Sequence, residues 1–211
     1  MTDRVDSAHS ILPLSVLEAM RVLDSPSDEE VAEYVDELLK KRLGLSDTVA
    51  AQIVRYELVV RRDGRIPTAE LEQILRLAGR RTDAALVFAE AGRRAARRAL
   101  RRLPAAAGWS ARSLPRVLGR AVGFRAARRA ARDVLDVALA RERGLVTARI
   151  EHAAAVQATG DGAACAFYAS ALSELLRQLM ESEGGVTHSR CRARGDDRCE
   201  WRAGSPAERR S

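Results

Sequence analysis

Residues 185–203, GVTHSRCRARGDDRCEWRA, read as two short strands, 186–192 and 198–203, turned by Gly195-Asp196-Asp197, with Cys191 and Cys199 flanking the turn. Working back along the chain, apolar residues at helical spacing over 164–181 predict a helix that opens near Cys165, and the break Thr159-Gly160-Asp161-Gly162 precedes it. Further back, 134–141 and 145–151 alternate as strands about an Arg143-Gly144 turn. This alternation puts Val146, Ala148 and Ile150 on one face and Thr147, Arg149 and Glu151 on the other. Two hairpins separated by a helix predict an α+β unit, an antiparallel sheet with flanking helices.

Cys165, Cys191 and Cys199 are the only cysteines, and with Glu151 they form a donor set that one metal ion could collect. Three thiolates and a carboxylate close a tetrahedral shell around zinc and leave no position for a catalytic water, so such a site is structural. The alternative is a Cys191–Cys199 disulfide with Cys165 as an ordinary buried side chain. An odd cysteine count, no secretory signal and a core rich in Leu, Val and Ala favour a reducing, cytoplasmic setting and the metal. Imidazole is an equally good zinc ligand, so His152 or His188 are substitutes for Glu151. Strand parity, however, sends His188 and Cys191 to opposite faces, and His152 opposite to Glu151, which makes both histidines surface or supporting groups.

The chain of 211 residues is 46% hydrophobic and carries a formal charge of +7, nearly all of its base being arginine because Lys40 and Lys41 are its only lysines. That is enough apolar content for a sizeable core, and no apolar run reaches the length of a membrane span. The arginines concentrate in GRRAARRALRRLP and GRAVGFRAARRAARD, between Arg93 and Arg132. Alanine and arginine alternating at helical spacing predict a solvated helix face, and with Trp109 and Phe124 the only aromatics nearby, nucleic-acid binding is the weaker reading.

The N-terminal part, 1–82, reads as a helical extension to a domain over 83–203, with 204–211 a disordered tail. Ser27-Asp28-Glu29-Glu30 is a capping box for a helix to about Leu43, stopped by Gly44. Ser46 caps the next helix, which Asp63-Gly64 ends. Thr68 and Thr82 are expected to cap two more, the second stopped by Pro104. The loop AAAGWSARS and a basic helix to about Arg132 follow. His9 falls in an opening stretch read as poorly structured and without a role.

With CRARGDDRCEW as the closing hairpin and Cys165 opening a long helix, the chain from about Phe88 to Ala203 resembles the 4-vinyl reductase domain family. VFAEAGRRAARR is similar to its bacteriochlorophyll 4-vinyl reductase-like branch. The resemblance implies a TRAPP-type α+β fold, often a homodimer, with a hydrophobic ligand held between sheet and helices. It also implies a zinc ion on Glu151, Cys165, Cys191 and Cys199. Phe124, Phe167 and Tyr168 are then candidate ligand contacts, and Arg120 or Arg125 could meet a ligand carboxylate.

No nucleophile with a neighbouring base, phosphate-cradling glycine loop or nicotinamide fingerprint is present in the sequence, so a vinyl reductase would need an external reductant. The expected function is therefore a zinc-stabilised carrier or sensor of a hydrophobic small molecule, for which the resemblance implies a tetrapyrrole intermediate of bacteriochlorophyll synthesis. A vinyl reductase and a nucleic-acid-linked regulator are the alternatives.

Overall fold

A computed structural model of the chain describes residues 7–24, 46–104, 116–142, 144–150, 154–180 and 185–203. The capping box at Ser27 and its helix, the loop AAAGWSARS, Arg143, Glu151, His152 and the tail from Gly204 lie outside the described residues. In chain order the elements are β1 (Ser7–His9), α1 (Ile11–Asp24), α2 (Ser46–Arg61), β2 (Arg65–Pro67), α3 (Thr68–Gly79), α4 (Ala84–Arg101) and α5 (Arg116–Val134). Then follow β3 (Ala138–Glu142), β4 (Leu145–Ile150), α6 (Ala154–Ala158), α7 (Cys165–Met180), β5 (Val186–Arg190), a 3-10 turn (Arg192–Arg194) and β6 (Cys199–Ala203). The fold is α+β with antiparallel sheets: β1 pairs with β2, and the larger sheet runs β3-β4-β6-β5.

Alanine pairs alternating with arginine pairs decide how α4 and α5 pack. On α4, Ala91, Ala95, Ala96 and Ala99 are buried, as are Ala126, Ala127, Ala130 and Ala131 on α5, while the arginines between them point outward. Short side chains let backbones approach closely. A Cβ on Gly92 of α4 would come within 2.2 Å of the Phe167 carbonyl oxygen, and one on Gly123 of α5 within 1.9 Å of the Leu179 carbonyl oxygen. The helix α7 is thus pressed between α4 and α5 with glycine at both contact points, which fixes where its first residue, Cys165, emerges.

The helix α1 is buried almost all round, through Ile11, Leu12, Leu14, Val16, Leu17, Ala19 and Met20. The sequence reading did not find it. A helix buried on every side has no polar face to give the pattern away, and Pro13 suggests a break. At the first turn, however, the missing N–H would have had no partner in any case. The opening stretch is also not without structure: His9 sits in β1 at 3% exposure, its Nδ1 accepting the Ile11 N–H (3.1 Å) and its Nε2–H donating to Asp63 Oδ1 (3.0 Å). Burial lowers its pKa and keeps the ring neutral.

Asp63 ends α2 with a positive φ of 54°, in the turn expected there. Two other expected details shift. Thr68 is the first residue of α3, after Pro67, and Asp83 rather than Thr82 precedes α4. The strand expected over 134–141 begins only at Ala138, because α5 continues to Val134 and the Leu135 N–H bonds back to Ala131.

Glu174 on α7 is buried, accepts from Arg177 (3.0 and 3.1 Å) and Gln178 (3.3 Å), and lies 3.7 Å from Arg97. The Arg177 hydrogen bonds hold its carboxyl below the usual range, against the opposing effect of burial. A pKa depressed by folding contributes stability above the unfolded value, and that contribution is lost as pH falls through the folded value. Because both arginines are half-exposed, solvent screening keeps the contribution to about 1 kcal/mol. Glu174→Gln is expected to flatten the fall in stability as pH drops below the ordinary glutamate range, read in urea titrations. An unchanged acid limb would contradict this.

Candidate metal centre

The turn 159–164 is built by its own side chains. Thr159 Oγ1 accepts the Ala164 N–H (3.0 Å) and donates to the Ala155 carbonyl (3.1 Å), while Asp161 Oδ1 accepts the Ala163 N–H (2.9 Å). Gly162, with φ +76°, reverses the chain, and its carbonyl accepts the Cys165 N–H at 2.9 Å. This places the Cys165 thiol at the start of α7, facing the sheet.

On the opposite side, Asp196 Oδ2 accepts the Cys191 N–H (2.6 Å), and the Cys191 carbonyl accepts from Arg194 (2.9 Å) and Asp196 (3.2 Å). Gly195, at φ +92°, closes the 3-10 turn and returns the chain to Cys199 on β6. The predicted Gly195-Asp196-Asp197 turn is therefore present, with its first aspartate clamping the cysteine rather than facing water alone.

Cys165, His188, Cys191 and Cys199 come together with all four ligand atoms within 4.8 Å of one another, and the group could hold a metal ion. Zinc–sulfur bonds of about 2.3 Å set tetrahedral sulfurs about 3.8 Å apart, so the donors need only a small contraction to close on an ion. The three cysteines are free and fully buried. The His188 ring stacks on Trp201 (centroids 4.7 Å apart, planes at 11°), and its Nε2 is buried with no hydrogen-bond partner among the described residues. A buried imidazole nitrogen left without a partner is costly unless something else occupies it.

The parity argument against His188 fails for a local reason. The register of β5 against β6 shifts between His188, which faces Trp201, and Arg190, which faces Glu200. One extra residue at that bulge rotates the following chain, so positions three apart share a face. His188 and Cys191 therefore lie on the same side as Cys199. The fourth donor among the described residues is this histidine, and Glu151 lies outside them.

Crowding three thiols in a buried site divides their protons unequally. The hydrogen bond with Cys165 pulls the Cys199 thiol down to about 5 against the effect of burial, helped by the Arg192 amide and the His188 imidazole. The same hydrogen bond, reinforced by burial, pushes the Cys165 thiol up. A bound cation would favour the thiolate forms of this pair.

A cavity of about 1260 Å³ has Tyr168, three residues after Cys165 on α7, among its lining residues. The Tyr168 ring contacts Trp201 (5.7 Å) and Phe167 (5.3 Å, edge to face). Of the three aromatics singled out in the sequence, only Tyr168 lines this cavity: Phe167 is buried behind it, and Phe124 is covered by the Arg141 guanidinium at 4.5 Å. Arg125 lines the cavity and Arg120 does not. Tyr168, Trp201 and His188 form a continuous line of rings from the cavity to the thiols. Trp201 carried no functional expectation, although its place two residues after Cys199 on a strand was a signal that the two share a face.

No protein-family model, curated protein or solved structure matches the chain. Among the described residues, no helix is long and apolar enough to cross a membrane.

Proposed function

We propose that this protein is a zinc-stabilised binder of a hydrophobic small molecule, a carrier or sensor rather than a catalyst. The observation that carries the reading is the ring contact from Tyr168 in the cavity wall through Trp201 to His188 of the Cys3His group. Thiolate-rich, four-donor chemistry suits zinc above harder divalent ions and leaves no open position for chemistry. The metal's task is then to fix α7 against the β5–β6 hairpin and so hold one wall of the cavity in shape. The residues that resemble the 4-vinyl reductase domain family suggest a tetrapyrrole intermediate as the ligand and a homodimer as the assembled state. A zinc ion held by the three cysteines and His188 replaces the carboxylate-containing set that the resemblance implied.

Native mass spectrometry of the full chain tests this directly. A single zinc ion per chain, with a co-purified organic mass, is the expected result. A metal-free chain lighter by a pair of hydrogens would indicate a disulfide and overturn the reading.

A further inference from the structure

The arginines of α4 and α5 look alike in sequence and differ in what they meet. On α4 and just after it, Arg93 and Arg94 pair with Glu90, Arg98 with Glu18, Arg97 with Glu174 and Arg102 with Asp63. The pairs to Glu18, Glu174 and Asp63 tie α4 to other elements. On α5, Arg125, Arg128, Arg129 and Arg132 fall on one face by their spacing, and all four line the cavity.

The acids around that cavity are already taken. Asp133 lies 3.6 Å from Arg129 and Asp136 lies 2.6 Å from Arg65, while Arg149, the remaining cavity arginine, bonds Glu142 (2.8 Å) and Glu200 (3.0 Å). Arg125, Arg128 and Arg132 are exposed and have no ion-pair partner among the described residues. Beneath them the cavity is lined by Leu12, Leu71, Leu135, Leu139, Ile150 and Tyr168. An apolar floor under a row of unpaired guanidinium groups offers two different solvents to one ligand.

Resting on the small-molecule reading above, we infer that the cavity selects an amphipathic anion: an apolar body on the leucine and tyrosine floor, with a carboxylate or phosphate-like head on Arg125, Arg128 and Arg132. A nucleic acid is a poorer fit. Among the described residues that line the cavity Tyr168 is the only aromatic side chain, so successive bases find no series of stacking platforms.

The test uses two probes with the same aromatic body, 1-anilinonaphthalene-8-sulfonate and its neutral counterpart N-phenyl-1-naphthylamine, titrated by fluorescence into the full chain. The sulfonate probe is expected to bind about tenfold more tightly, as one or two charge-assisted hydrogen bonds would give. The preference is expected to shrink as salt is raised and to vanish in the variant Arg125→Gln, Arg128→Gln, Arg132→Gln, while the neutral probe binds parent and variant alike. The salt series on the unaltered protein keeps the test valid if the triple variant folds poorly.

Equal affinity for both probes overturns the anion inference and leaves the hydrophobic-ligand reading standing. Failure of both probes to bind overturns the two together. Displacement of the sulfonate by a short DNA duplex, or tight binding to phosphatidylglycerol vesicles without a preference between the probes, would assign the arginines to a nucleic acid or a membrane surface and overturn the inference as well.

Discussion

Cys199→Ala is expected to abolish metal retention and to lower stability by about 4 kcal/mol, because the free energy of metal binding is coupled to folding and one missing thiolate leaves three donors around the ion. For a chain of this length that corresponds to a fall of about 10 °C in the thermal midpoint. Removing a buried sulfur alone costs less, about 1 to 2 kcal/mol of lost packing. The two contributions separate in a chelator. The parent without metal should melt close to the variant, leaving only the packing difference between them, and the variant should not respond to chelator. If the parent's melting curve is the same with and without chelator, the four donors hold no metal and the stabilising role assigned to it falls.

The donor set explains why the effect is expected to be large. Cys199 is fully buried on the central strand β6, opposite Ile150, and its neighbour Trp201 is the largest fully buried side chain. Among the described residues, the His188 Nε2 and the Trp201 Nε1, on two stacked rings, are both buried without a hydrogen-bond partner. Two orphaned buried groups on stacked rings are a weak point.

The site was legible in sequence to the extent that local geometry determines it. Cysteine spacing around a glycine-containing turn located the β5–β6 hairpin, and the glycine-rich break before Cys165 located the start of α7. Strand parity put His188 on the wrong face because a β-bulge leaves no reliable mark in composition: Ser189 is not a glycine, and only the pairing partner on β6 reveals the shift. The helix α1 was missed for the opposite reason, since burial of nearly all of 11–20 removes the polar–apolar alternation on which sequence reading depends. The arginine rows of α4 and α5 were read correctly as outward faces. Their partners could not be read, because Glu18, Glu174 and Asp63 come from elements distant in sequence, and only the fold shows which arginines are left over.

Gly162→Val is expected to weaken metal binding by at least about a hundredfold, corresponding to roughly 3 kcal/mol or more. Two costs act at one position. The backbone φ of +76° lies in the left-handed region, where a β-branched residue is strained by about 1 to 2 kcal/mol. In addition, a Cβ there would stand 2.9 Å from Cys191 Sγ and 3.8 Å from Cys165 Sγ, so the side chain occupies the space between two donors and the thiols must spread. A metal shell tolerates displacements of only a few tenths of an ångström, whereas folding strain alone does not depend on the metal. Gly144→Val separates the two costs, because Gly144 has a similar φ of +83° with nothing within 4 Å of its Cβ position. The Gly144 variant is expected to lose stability equally with and without chelator and to keep its metal affinity. The Gly162 variant is expected to lose affinity in competition against a chromophoric chelator. Equal metal affinities for the two variants would mean that Gly162 serves only the turn, and that the sulfurs are not held at coordinating distance by the glycine's missing side chain.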